Sequence, residues 1–198
     1  DLRGRSKVLK VNYRTTRQIR SVADRLMADQ MTDADGIVQA RKGTISLLSG
    51  PKTVFKQFDD VESEIDGVAQ WLDNLHDRQD VESQAIAIFY RSDRERERAR
   101  AAVAKSKYAG AAMPPKLCSM LDAKGLEYQA VVVMACDADA IPSPERLAEA
   151  DLVAGLEEIY DTERNLLYVA CTRARDYLLV TSAGTPSELL LDMTPGSD

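Results

Sequence analysis

The sequence predicts an α/β fold, a mostly parallel, doubly wound sheet with helices on both faces. Two observations carry that reading. Apolar residues recur at every second position in some stretches and at about every 3.6 positions in those between, so strands and amphipathic helices alternate. In addition, Ala85, Ile86, Ala87, Ile88 and Phe89 stand in unbroken succession, the pattern of a strand covered on both faces. Hydrophobic residues make up 44% and charged residues 29% of the 198, an ordinary globular balance that fits one domain over residues 1–193, with 194–198 as a tail.

The elements follow in order. Residues 7–11 read as a short strand. Thr15 or Thr16 then caps a helix whose apolar face is Ile19, Val22, Ala23, Leu26 and Met27. Residues 33–43 form a polar loop, and strands are expected at 44–49 and 53–58, parted by the turn Gly50-Pro51. A helix over about 61–76 gathers Val61, Ile65, Val68, Ala69, Leu72 and Leu75 on one side. After the buried strand at 84–90 comes a highly charged helix, 93–107, with Ala99, Ala102, Val103 and Tyr108 turned inward. A Gly/Ala/Pro linker at 108–115 precedes two more strands, 116–121 and 130–136. A loop with Pro142 and Pro144 leads through a weak helix to a strong one over about 156–173, and residues 177–181 close the sheet.

The formal net charge is −6, so a nucleic-acid contact has to come from a local patch of Lys and Arg. Cys118, Cys136 and Cys171 are far apart and each sits in an apolar run, which reads as buried thiols in a reducing cytoplasm. No apolar run approaches the roughly 18–20 residues of a membrane span, and no signal peptide opens the chain. The first residue is Asp1, which reads as the start of a fragment.

Much familiar chemistry is absent. The sequence has no G-x-x-x-x-G-K-S/T phosphate loop and no G-x-G-x-x-G. Its single histidine, His76, falls in a helix tail and supports no Ser/His/Asp or Cys/His arrangement. Three segments remain. Val11-Asn12-Tyr13-Arg14-Thr15 runs from a strand end into a helix, and the carboxyl end of a strand is where open α/β sheets bind ligands. Tyr13 there can stack on a base and Arg14 can reach a phosphate, or the tyrosine packs and the arginine is solvated. Lys124-Gly125-Leu126-Glu127-Tyr128 sets a cation and an anion around a glycine between two strands; it reads as a binding loop or an ordinary turn. In the third segment Ile159, Glu163, Leu166, Ala170 and Arg173 share one helix face. A charge on an apolar face needs a partner, which for Arg173 is a carboxylate or a phosphate.

In content and order these segments resemble the UvrD/Rep-type superfamily 1 DNA helicases. Asn12-Tyr13-Arg14 is similar to motif IV, Ala87-Ile88-Phe89-Tyr90-Arg91 to motif IVa, and Lys124-Gly125-Leu126-Glu127-Tyr128 to motif V. Glu163-Arg164 through Leu167-Tyr168-Val169-Ala170 to Thr172-Arg173-Ala174 is similar to motif VI. The likeness spans residues 8–182 and implies the second, C-terminal RecA-like domain of such a helicase.

It further implies ATP and Mg2+ bound mainly by an N-terminal RecA-like domain, so that this chain alone hydrolyses nothing. Arg14 and Arg173 would be arginine fingers on the γ-phosphate, Tyr13 would stack near the adenine, and Glu127 would accept from the ribose. Arg91, Ser119 and Lys124 would lie toward single-stranded DNA, along which the cytoplasmic enzyme would move 3′→5′ in DNA repair. No membrane partner is implied. Two departures stand out. Where the family has Thr-x-His ahead of its Lys-Gly-Leu-Glu, this chain has Ser119-Met120-Leu121, and the large subdomain that UvrD and Rep insert before motif V is missing. Asp137 and Asp139, at the end of an apolar run, read as loop polar groups rather than magnesium ligands. The alternatives are a degenerate, non-catalytic RecA-like module for protein interaction or regulation, and an independent nucleotide-binding enzyme, which the missing phosphate loop disfavours.

Overall fold

The computed structural model describes residues 11–12, 14–27, 31–32, 38–39, 45–149 and 153–193. Most of the strand expected at 7–11, Tyr13 and the tail at 194–198 lie outside them. The described chain opens with β1 (Val11–Asn12) and α1 (Arg17–Ala23), the helix running on into a 3-10 turn, Asp24–Leu26. β2 (Met31–Thr32) and β3 (Val38–Gln39) pair antiparallel, so Val38 and Gln39 are strand where the polar composition predicted loop. β4 (Ile45–Ser46) pairs parallel with β1 in a two-stranded sheet of its own.

The remainder builds the body of the molecule. β5 (Val54–Phe58), α2 (Val61–Gln79), β6 (Ile86–Tyr90), α3 (Asp93–Lys105) and β7 (Lys116–Ser119) come first. β8 (Tyr128–Val133), α4 (Pro144–Ala148), α5 (Val153–Cys171), β9 (Ala174–Ala183) and α6 (Leu189–Met193) follow. Five strands form one sheet in the order β5-β9-β8-β6-β7, and every neighbouring pair is parallel. The predicted α/β fold with a parallel sheet and helices on both faces is the fold observed.

Pleating distributes the apolar strands between two cores, because successive side chains point to opposite faces. Ala87, Phe89, Val131, Val133, Leu178 and Val180 face α1, α5 and α6. Ile86, Ile88, Ala130, Val132 and Leu179 face α2 and α3. Both of those helices are capped locally. Asp60 accepts from the Ser63 backbone N–H (2.8 Å) at the start of α2, and Ser92 with Glu95 forms a capping box on α3. At the start of α1 the cap position is Thr16, but its side chain makes no capping bond.

Two differences from the sequence reading have local causes. α6 was not anticipated: five residues are too few for a helical period to show, yet Leu189, Leu190 and Met193 are buried by it. β9 is twice the expected five residues, since its inner segment pairs on both sides, with β5 and with β8. Between α3 and the edge strand β7, the linker is tied down rather than free. Tyr108 is buried and donates its hydroxyl to the Val81 carbonyl (2.7 Å), while Ser83 Oγ donates to the Met113 carbonyl (2.7 Å).

Beyond the carboxyl ends of β8 and β9, a buried polar network closes the sheet. Glu64 of α2 has no exposed side-chain surface and accepts from the Ala135 backbone N–H (3.0 Å), Thr181 Oγ1 (2.6 Å) and Arg98 Nη1 (2.8 Å). Arg98 also donates to Asp137 (2.6 Å), whose other oxygen accepts from the Ala183 N–H (2.6 Å). Asp137 is thus a structural ion-pair partner, and Asp139 stays at the surface. Glu64→Ala should lower the free energy of unfolding by roughly 2–5 kcal/mol, since it leaves the buried Ala135 N–H and Thr181 hydroxyl without an acceptor and takes one of two carboxylates from Arg98. Urea unfolding checks this, and a loss below about 1 kcal/mol would make the network dispensable.

Candidate functional site

Polar groups from three separate segments converge at the amino ends of β8 and β9. α5 ends at Cys171, and Arg173 lies in the turn before β9. The Tyr128 N–H donates to the Arg173 carbonyl (2.9 Å), which sets the 123–127 loop beside that turn. The Thr16 N–H donates to the Arg175 carbonyl (3.0 Å) and brings the start of α1 to the same place. Gly125 in the loop has φ +80, a left-handed conformation that other residues resist, and no neighbour crowds it, so backbone conformation is the reason for the glycine.

The side chains there form a small set. Arg173 donates from Nε to the Val169 carbonyl (3.0 Å) and from Nη1 to the Leu126 carbonyl (3.1 Å). Both acceptors are neutral, and no carboxylate among the described residues pairs with its guanidinium. Arg14 Nε stands 3.0 Å from Glu127 Oε1. Partial burial pushes the Arg173 pKa below its usual value; Glu127 acts through space to raise it, and the Arg14 charge lowers it further. The ensemble is therefore a cation held by carbonyls beside a solvent-facing Arg–Glu pair, an arrangement suited to meeting an anion.

The site lies at the opposite end of the sheet from the one expected for Arg14. Residues 11–15 do follow the carboxyl end of β1, but β1 belongs to the separate two-stranded sheet, so that end is not the end of the main sheet. Tyr13 lies outside the described residues.

The expected DNA-facing residues do not gather with that set. Ser119 is the last residue of β7, at the carboxyl end of the sheet, and its hydroxyl accepts from the Leu121 N–H (3.2 Å). Lys124 is exposed on the loop that runs from there back to the amino end of β8. Along the edge strand β7, reaching to the carboxyl end of β6, opens a cleft of about 770 Å3, with Tyr90, Arg96, Lys116, Ser119 and Leu121 in its walls. Arg96 does not stand out in the sequence, because α3 alternates charges so densely, and neither does Lys116, a single cation at the start of a short strand.

Arg91 is placed differently from Ser119 and Lys124. It also borders the cleft, but its guanidinium is turned inward onto Glu163, with Nε 2.6 Å from Oε2 and Nη2 2.7 Å from Oε1. Side-chain exposure is 7% for Arg91 and 0% for Glu163, so this arginine does not present its charge to a strand. The bidentate bonds to Glu163 outweigh burial and hold its pKa above the usual arginine value. α5 ends two residues short of Arg173, so Glu163 alone lies on its apolar face and takes an arginine as partner, while Arg173 in the turn takes two carbonyls.

Cys118, Cys136 and Cys171 are free and buried, as expected; burial pushes the Cys171 thiol up to about 12, which rules it out as a nucleophile. Among the described residues no group of three or more His, Cys, Asp or Glu could hold a metal ion. None of their helices is long and apolar enough to cross a membrane.

Residues 116–185, from β7 to just past β9, match the model of the UvrD-like helicase C-terminal domain. That match takes in Ser119, Lys124, Glu127 and Arg173. Among solved structures, the chain is similar to the C-terminal domain of a possible DNA helicase from Lactobacillus plantarum WCFS1. The two share 20% identity and a TM-score of 0.59 over 92% of this chain and 94% of that one, a likeness of fold. No curated protein matches the sequence.

Arg14 and Glu127 keep 77% and 56% of their side-chain surface exposed, and such pairs contribute about 0–1 kcal/mol. Glu127→Gln should accordingly leave the unfolding free energy within about 1 kcal/mol of the parent in urea. A larger loss would make the pair a structural clamp instead of a surface open to a ligand.

Proposed function

We propose that the chain is the second RecA-like domain of an ATP-dependent helicase or translocase acting on single-stranded DNA. In this reading an N-terminal RecA-like domain holds the ATP phosphates and Mg2+, and this chain supplies Arg14 and Arg173 to the γ-phosphate. The convergence of Arg14, Glu127 and Arg173 at one end of the sheet, from segments far apart in sequence, carries the proposal. Phosphoryl transfer is accelerated by cations fixed where charge develops, and an arginine already held by backbone carbonyls is oriented before the phosphate arrives. Glu127 accepts from the ribose, exchanging its solvent-facing bond with Arg14, and Tyr13 stacks near the adenine.

The strand lies along the opposite end of the sheet, where Ser119 and the loop with Lys124 meet it. The 120–127 loop joins the two ends, so closure of the two domains on ATP shifts one site relative to the other and carries the protein along the strand. A 3′→5′ direction, a cytoplasmic place and a part in DNA repair belong to the same reading.

In the protein that pairs this chain with its phosphate-loop domain, Arg173→Ala should lower kcat for ATP by about 10³-fold while changing the KM for ATP modestly. Steady-state phosphate release is the readout, and unchanged turnover would return Arg173 to a purely structural role.

Leu121 and Asp122 give a second test. Leu121 is 61% exposed on the joining loop, and Asp122 beside it is exposed. Leucine donates no hydrogen bond to a phosphate, and a carboxylate repels one, so coupling of DNA binding to hydrolysis is weak in the native protein. The double change Leu121→His with Asp122→Ser should raise the DNA-stimulated rate and leave the rate without DNA nearly fixed, measured at constant low salt. Strong native stimulation that the double change leaves alone would show that coupling runs elsewhere.

A further inference from the structure

The Arg91–Glu163 pair joins two parts of the molecule that the proposed function keeps apart. Arg91 is the first residue after β6 and borders the cleft at the carboxyl end of the sheet. Glu163 sits within α5, and that helix runs unbroken from Glu163 to Cys171, a rise of about 12 Å at roughly 1.5 Å per residue. Arg173 follows two residues later and is bonded back to Val169 on the helix's last turn.

The intervening segment is stiff. Leu167, Ala170 and Cys171 are fully buried against the sheet, and close-packed interiors transmit displacement instead of absorbing it. α5 also packs against the 3-10 turn Met120–Asp122, which follows Ser119 on the cleft wall. A second cation, Arg146 of α4, approaches Glu163 to 3.6 Å.

Stability alone does not account for such a pair. Two charges removed from water are about as stable when replaced by apolar side chains of similar volume, and often less stable than those replacements. A bidentate arginine–carboxylate bond does offer something that an apolar contact lacks, which is a fixed relative position and orientation of the two backbones that carry it.

We propose that Arg91 and Glu163 are positioning residues that tie α5, and through it Arg173, to the wall of the cleft. The inference rests on the reading of Arg173 as an arginine finger and of the cleft as the path of a DNA strand. A strand settling in the cleft draws its cations Arg96 and Lys116, and with Arg96 the adjoining end of β6, toward its phosphates. Arg91 carries that shift to Glu163, and α5 delivers it to the turn that holds Arg173. Neither residue touches ATP, so their loss uncouples the two sites without emptying either.

The experiment uses the intact helicase containing this chain and the double variant Arg91→Met with Glu163→Leu, which replaces the pair by apolar groups of similar bulk. ATP turnover is followed across a titration of a single-stranded oligonucleotide, whose affinity is measured separately by fluorescence anisotropy. The double variant is expected to lose about tenfold of its DNA stimulation, a usual size for coupling between two sites, while its affinity for the oligonucleotide changes by less than about twofold. Arg91→Lys, which keeps the charge and loses the bidentate geometry, should fall in between.

Retained stimulation in the folded double variant overturns the inference. So does a loss of oligonucleotide affinity that matches the loss of stimulation, because Arg91 would then be a direct phosphate contact. Failure of both variants to fold would make the pair a structural requirement and end the proposal as well. Arg173→Ala, run in parallel, separates the two levels: if it abolishes turnover while the double variant stays coupled, the finger stands and the tie falls. If Arg173→Ala has no effect, the finger reading falls and the tie falls with it.

Discussion

A parallel sheet covered on both faces leaves only its two ends for polar work, and that constraint organises this molecule. β6 and β8 are buried almost throughout, with one core beneath α1, α5 and α6 and the other beneath α2 and α3. Each charged group near the sheet must therefore settle at a strand end, in a loop, or on a helix rim. At the carboxyl end stand the Glu64–Arg98–Asp137 network, the Arg91–Glu163 pair and the cleft beside β7. At the amino end stand Arg14, Glu127 and Arg173. The two ends are about 20 Å apart along β8, taking a strand rise of about 3.3 Å per residue. Only elements running the length of the sheet can connect them.

Two such elements do so, and their materials differ. The 120–127 loop is short, with exposed Leu121, Asp122 and Lys124 and a left-handed glycine near its far end. α5 is a rigid rod with its inner face in the core.

Much of this was legible in the sequence, and the illegible parts share a cause. The unbroken apolar run at 85–89, short and bounded by polar residues, suits a strand in the middle of a covered sheet. The inward face of α5, with Glu163 on it and Arg173 just past its end, is visible from helical spacing alone. Which partner each charge takes is not, since sequence gives the need for a counter-charge and not its address. Arg91 illustrates the gap: an arginine just past a buried strand suits a phosphate as well as a carboxylate, and only the approach of α5 decides. Arg14 misled for a related reason, as a strand end was visible but the sheet to which that strand belongs was not.

The tethered connection between α3 and β7 bears on how such a domain changes over generations. β7 is the outermost strand, and the connection entering it is fixed at both ends, by Tyr108 on the Val81 carbonyl and by Ser83 on Met113. Whatever lies between those two anchors hangs outside the sheet and beyond both cores. Lengthening a surface connection costs little, only about 0.6 kcal/mol of closure entropy for each doubling. Length added between those anchors would therefore cost the sheet and its two cores little.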